Sequence, residues 1–175
     1  MIIGVISDVH NNLVALENVL IEFQKKGCEI IICAGDIIGI GPSPEATVSR
    51  LSVYSNTLYA VQGNHEHYLT VGMKNSKMSE HEYLYHKWEH NRLSQESIRF
   101  LSDLPNELLL SIEGKRIYIE HYAKSKGKFI RPVQNPNNQS IKKVFGEIDA
   151  DIIIYGHNHT PSLIEDKITY INPGS

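Results

Sequence analysis

Apolar, β-branched runs alternate along this chain with stretches of helical periodicity, and each run ends in polar residues. Met1 to Ile6 and Ile30 to Ala34 read as short buried strands. Between them Leu13, Leu16, Leu20 and Phe23 recur at helical spacing, with Asn11 or Asn12 placed to cap and Gly27 placed to stop the helix. Strand, helix and strand form a βαβ unit, which predicts parallel neighbouring strands. Ser43 and Pro44 open a second helix that runs to about Tyr54, and Thr57 to Val61 predicts a third strand. From Tyr68 to about Pro105 the pattern changes to a helical insertion. One helix starts at the capping box Ser79-x-x-Glu82 and another near Ser94. Glu107 to Ile112 and Lys115 to His121 predict a hairpin turning at Glu113-Gly114. Beyond a loop at 122–138 come a short helix near Ser140 to Gly146, a strand from Asp151 to Tyr155, and a last hairpin from Leu163 to Ile171.

The chain has 175 residues, enough for one domain with a full core, and the pattern predicts a single domain over 1–175. The net charge of -3 argues against a dedicated nucleic-acid surface, and no apolar run is long enough for a membrane span. The N-terminus lacks a basic leader, and Cys28 and Cys33 read as reduced packing thiols; both point to a cytoplasmic protein.

The strand ends carry the chemistry: Asp8, His10, Asp36, Asn64, His65, His121, His157 and His159. In open α/β sheets ligands bind beyond the C-terminal ends of strands. Asp8-x-His10 and His157-x-His159 pair residues two apart, which share a face in extended chain. All of these except His65 are expected as metal ligands. Mixed carboxylate, imidazole and amide donors suit manganese, with iron, zinc, nickel or cobalt as alternatives. Such a set exceeds one tetrahedral site and suits two divalent ions sharing Asp36. Two ions about 3.5–4 Å apart clamp a phosphate and lower the pKa of a bridging water, and the resulting hydroxide attacks phosphorus in line.

In that order, Asp8-Val-His10, Gly35-Asp36, Gly63-Asn64-His65-Glu66, His121 and Gly156-His157-Asn158-His159 resemble the calcineurin-like metallophosphoesterase family across nearly the whole chain. The run Gly35 to Pro42 and the insertion with Trp88 and Leu104-Pro105 resemble its small prokaryotic phosphodiesterases. The resemblance implies an α/β (α+β) four-layer αββα sandwich, with two mixed sheets flanked by helices. It implies one metal on Asp8, His10, Asp36 and His159, and a second on Asp36, Asn64, His121 and His157. It makes His65 the general acid, which with Asn64 contacts substrate. It implies a hydrolase for a small phosphodiester; a phosphomonoesterase or dinucleoside polyphosphate hydrolase shares the chemistry. The rival class is a non-catalytic scaffold such as the retromer subunit of this fold, which has no need of His65.

Three departures stand out. Asn11 replaces a frequent Gly, and its side chain is expected to contact phosphate. Gly39 and Ile40 stand where the phosphoprotein-phosphatase branch has Asp and Arg, which argues against a protein phosphatase and removes the residue that orients the catalytic His there. Relatives usually continue past Asn172-Pro-Gly-Ser175 with another strand, so an unpaired sheet edge and a homo-oligomer are further expectations. His67 is expected exposed or supporting. His81, His86 and His90 are expected on the surface or in a lid, without metal. Tyr83, Tyr85 and Trp88 are expected to pack the insertion, and Lys124, Lys126 and Lys128 to be solvated.

Overall fold

A computed structural model describes residues 1–73 and 78–175. Three parallel strands make the first sheet, in the order β1 (Ile3–Ile6), β2 (Ile30–Cys33), β3 (Leu58–Ala60). The second sheet is mixed. It comprises β4 (Glu107–Ile112), β5 (Lys115–Glu120), β8 (Ile152–Ile154), β10 (Thr169–Asn172) and β9 (Ser162–Glu165), in that spatial order. β5, β8 and β10 run parallel, and β4 and β9 close the edges antiparallel. The expected βαβ unit is present: β1 pairs Ile3 with Ile30, and α1 (Leu13–Lys26) lies between the two strands in the chain.

The core divides into three clusters that define four layers. Ile32, Ala34 and Val61 of the first sheet meet Ile117, Ile119 and Ile154 of the second. Both sheets are therefore buried on their facing sides, which is why their central strands read as unbroken apolar runs. On the outer side of the first sheet, Ile31 and Cys33 pack against Leu16 and Leu20 of α1, Val48 and Leu51 of α2 (Pro44–Ser52), and Leu101 of α5 (Gln95–Ser102). On the outer side of the second sheet, Ile153 and Tyr170 pack against Ile141 and Phe145 of α6 (Asn138–Phe145). The result is the αββα sandwich. No helix among the described residues is long and apolar enough to cross a membrane.

Local signals act as expected at several boundaries. Asn12 caps α1 by accepting from Ala15 N–H, and Gly27 ends it at φ 69°. Ser79 and Ser94 cap α4 (Glu80–His90) and α5 by accepting from Glu82 and Ser97 N–H. Glu113 and Gly114 both take positive φ, the geometry of a two-residue hairpin turn.

Other elements depart from the pattern. Asn64–Thr70 forms a helix, α3, where the sequence reads as loop and the start of the insertion. Two-residue strands β6 (Lys124–Ser125) and β7 (Lys128–Phe129) pair inside the expected loop. His86, expected on the surface, is buried at 1% exposure, as is Glu89 at 0%. The face of α4 that carries them turns inward over the strand ends. The insertion is fastened where it rejoins β3: Gln62 N–H donates to Pro105 O at 2.8 Å, and Gln62 Nε2 donates to Leu101 O.

Candidate active site

Loops after strands of both sheets meet at one edge of the sandwich. After β1, Asp8 N–H donates to Gly35 O and His10 N–H to Asp36 O, both at 3.0 Å, so the loops after β1 and β2 run side by side. After β5 and β8, Gly156 N–H donates to His121 O at 2.9 Å. Gly35 permits the close approach that joins the two sheets here. It holds φ at +91°, and a Cβ would lie 2.7 Å from Gly63 N and 2.9 Å from His121 Nδ1.

All eight strand-end residues converge. Asp36 is 1% exposed and sits at the centre. Its Oδ1 accepts from His65 N–H at 3.0 Å. Its Oδ2 lies 3.2 Å from His121 Nε2 and 3.9 Å from both His10 Nε2 and His65 Nε2. On one side, Asp8 Oδ1 lies 3.4 Å from His159 Nε2 and 3.8 Å from His10 Nε2, and the His10 and His159 Nε2 atoms are 3.0 Å apart. On the other side, Asp36, His121 and His157 bring ligand atoms within 4.8 Å of one another, and Asn64 Oδ1 lies 3.2 Å from His121 Nε2.

The donor set fits divalent cations. His10 Nδ1 pairs with Ile38 O at 3.2 Å and His121 Nδ1 with Ala34 O at 2.7 Å. With Nδ1 committed to a carbonyl, each ring turns its Nε2 toward the carboxylates, as metal-ligating imidazoles do. Burial pushes His10 and His157 toward the neutral form, His157 to about 4. Burial also acts on His121, but the Asp36 carboxylate outweighs it and raises that imidazole to about 9. Burial opposes the charge on Asp36, yet His121 and His65 together hold its carboxyl below the usual range. Asp8 is raised by burial, opposed by His121 and reinforced by Asp36. Each buried carboxylate disfavours the other's charge, which a bound cation would relieve.

The backbone is strained where it delivers these groups. Asp8, His10, Asp36, His157 and His159 all have φ between 49° and 73°. Left-handed conformations are uncommon for residues with a Cβ and cluster at functional sites. Asn11 and Ile40 share the feature, at 57° and 67°. Ile40 is β-branched and 63% exposed, so burial of its side chain does little to offset the strain. Ile40→Gly is expected to stabilise the fold by about 1 kcal/mol, the left-handed penalty less glycine's extra chain entropy. Urea denaturation measures it, and a lower midpoint for the variant would contradict this account. Ile40 lines a cleft of about 610 Å³ with Pro42, Asp8, His10 and His159.

Asn11 corrects one expectation. It is wholly buried, and its Nδ2 is directed to Glu89 Oε1, Gly41 O and Tyr85 Oη, so it fastens loops together instead of facing a phosphate. Sequence reasoning also left Glu66 and Asn172 without roles. Glu66 is fully buried and accepts from the N–H groups of Gly63, Asp36 and Ile38 at 2.7–3.0 Å, clamping the loops that carry Asp36 and His65. Its signal was its position three residues after Gly63, the N-cap of α3. Asn172 Nδ2 donates to Gly156 O and Asn158 Oδ1, holding the loop of His157 and His159.

The sequence profile of the calcineurin-like phosphoesterase superfamily domain matches residues 1–175. The Methanocaldococcus jannaschii protein MJ0912 is 30% identical over 189 residues, spanning 99% of this chain and 75% of that protein. The Escherichia coli phosphodiesterase YfcE is 25% identical, spanning 97% of this chain and 76% of YfcE. The crystal structure of a Sphaerobacter thermophilus metallophosphoesterase superposes with a TM-score of 0.76 at 26% identity, covering 99% of this chain and 76% of that one. Matched over its whole length, and carrying the strand-end carboxylates and imidazoles at one edge of a two-sheet sandwich, this chain belongs to the calcineurin-like phosphoesterase superfamily.

Proposed function

We propose that this protein hydrolyses small phosphodiesters with two divalent cations, manganese first among the candidates. The carrying observation is the place of Asp36 Oδ2, between the Nε2 atoms of His10, His65 and His121. One carboxylate thereby belongs to both donor groups. Asp8, His10 and His159 complete one group, and Asn64, His121 and His157 complete the other. Bound cations would supply Lewis acidity toward the phosphoryl group and a nucleophilic water of lowered pKa.

The chain's own residues do the rest. Asn64 and His65, which open α3, are the groups assigned to the phosphoryl oxygens. His65 is 8% exposed, and burial holds its imidazole down to about 4. An anionic phosphoryl group set against Nε2 opposes that effect, because a neighbouring anion favours the protonated ring. His65 Nε2 is thus placed to give a proton to the departing oxygen as general acid. That the relative YfcE is named a phosphodiesterase supports the diester reading. The scaffold reading gives no reason to keep a buried His65 beside a complete donor set.

Bis-p-nitrophenyl phosphate tests the reading directly. Manganese is expected to stimulate its turnover, with p-nitrophenyl phosphate monoester hydrolysed more slowly. No turnover with any of manganese, iron, zinc, nickel or cobalt would favour the scaffold, and a preference for the monoester would reassign the substrate class.

A further inference from the structure

His65 presents one ring nitrogen to the Asp36 centre and keeps the other inside the protein. His65 Nδ1 is buried and has no hydrogen-bond partner among the described residues. It faces Gly39, where a Cβ would lie 2.3 Å away, so no side chain at that position can supply an acceptor. Support for the ring has to come from another element.

The element packed against it is α4. His86 lies with its ring centroid 4.9 Å from that of His65, tilted by 44°. Glu89, one turn along, is wholly buried and fully engaged. Its Oε1 accepts from Gly39 N–H at 2.6 Å and from Asn11 Nδ2, and its Oε2 lies 3.1 Å from His86 Nδ1. A carboxylate only accepts, so His86 Nδ1 carries the hydrogen. In the tautomer with that hydrogen alone, the ring has a lone pair on Nε2. That atom too is buried and has no partner among the described residues. One orphan nitrogen able to donate and one able to accept thus lie on adjacent rings. Unmet buried polar groups are costly, so their juxtaposition calls for a reason.

We propose that Glu89 and His86 are positioning residues for His65: Glu89 fixes the His86 ring so that its Nε2 accepts the Nδ1–H of His65, directly or through one water, once substrate is engaged. Catalytic hydrogen bonds are often long in a ligand-free enzyme and tighten in the complex. The pair touches no reacting atom. It sets the plane of His65 so that Nε2 meets the leaving oxygen, and the same carboxylate holds the Gly39 and Asn11 loops beside it. The inference rests on the hydrolytic reading above, with His65 as the acid.

A positioning role for the acid has a signature that general packing lacks. Protonation matters most when the leaving group is poor. Manganese-loaded wild type and His86→Phe are compared on bis-p-nitrophenyl phosphate, with an activated leaving group, and on diphenyl phosphate, with a poorer one. Phenylalanine keeps the ring and its packing and removes both nitrogens. For His86→Phe, kcat on diphenyl phosphate is expected to fall at least about 10-fold further than kcat on bis-p-nitrophenyl phosphate, with KM and metal content near wild type. Glu89→Gln is the second variant. Its amide donates to His86 Nδ1, which moves the ring hydrogen to Nε2 and removes the acceptor. The same selective loss is expected.

Equal losses on both substrates, or wild-type rates in His86→Phe, would overturn the proposal. So would unfolding or metal loss in both variants, which would assign the pair to stability. If wild type itself turns over neither diester with any metal, the hydrolytic reading fails and the proposal falls with it. Wild-type turnover with no selective loss overturns the positioning role alone.

Discussion

Asp36→Asn is expected to empty both cation positions together and to lower diester turnover by about 10³-fold or more, the scale on which losing a preorganised electrostatic group acts. The substitution keeps the shape of the side chain, and Oδ1 of the amide still accepts from His65 N–H. What changes is the atom at the centre. Oδ2, which lies between three imidazole nitrogens, becomes an amide nitrogen that donates and carries no charge. On the two-ion proposal neither donor group keeps its shared anion, so each would be left with a weakened hold on a divalent ion. Elemental analysis of the purified variant checks this. One fully loaded position would mean that Asp36 serves a single cation, and the two-ion reading would have to be abandoned.

His65→Ala should do the opposite to the metals and nearly the same to the rate. Its Nε2 stands 3.9 Å from Asp36 Oδ2, alongside the two donor groups, and its backbone N–H, which alanine keeps, is what binds Asp36 Oδ1. Metal content is expected to stay at the wild-type level while kcat falls about 100-fold or more, the usual contribution of a positioned acid. The loss should be steeper for diphenyl phosphate than for bis-p-nitrophenyl phosphate. A variant that sheds its metals makes His65 a ligand; one that keeps its full rate leaves it without a chemical role.

Much of the candidate site was legible because its groups sit where buried strands end. Asp8, His10, Asp36, His121, His157 and His159 each follow an apolar run, and apolar runs are the strongest pattern a sequence carries. The layers were legible for the same reason: Ile32, Ile119 and Ile154 face one another across the sheets. Glu89 and His86 were not. Their face of α4 is polar, and helical periodicity sends polar faces to solvent. Their partners, Asn11, Gly39 and His65, lie far away in the chain, so no local spacing reveals that the face is buried. Asn11 was misjudged with them, because its burial depends on α4. Helix α3 escaped because Gly63 offers no capping side chain and Asn64 to His67 contains no apolar residue. Strands β6 and β7 are too short for alternation to register.

The proposed donors come from both layers: Asp8, His10 and Asp36 follow the parallel sheet, and His121, His157 and His159 follow the mixed one. The interface between the layers is apolar in its middle, as Ile32 against Ile119 and Ile154 shows, and is crossed at the site by His121 Nδ1 to Ala34 O and by His157 N–H to Asp8. Any shift of one layer over the other is felt first at Asp36 and His121, whose 3.2 Å contact spans the seam. Warming should erode turnover at temperatures where circular dichroism still reports intact helices and strands.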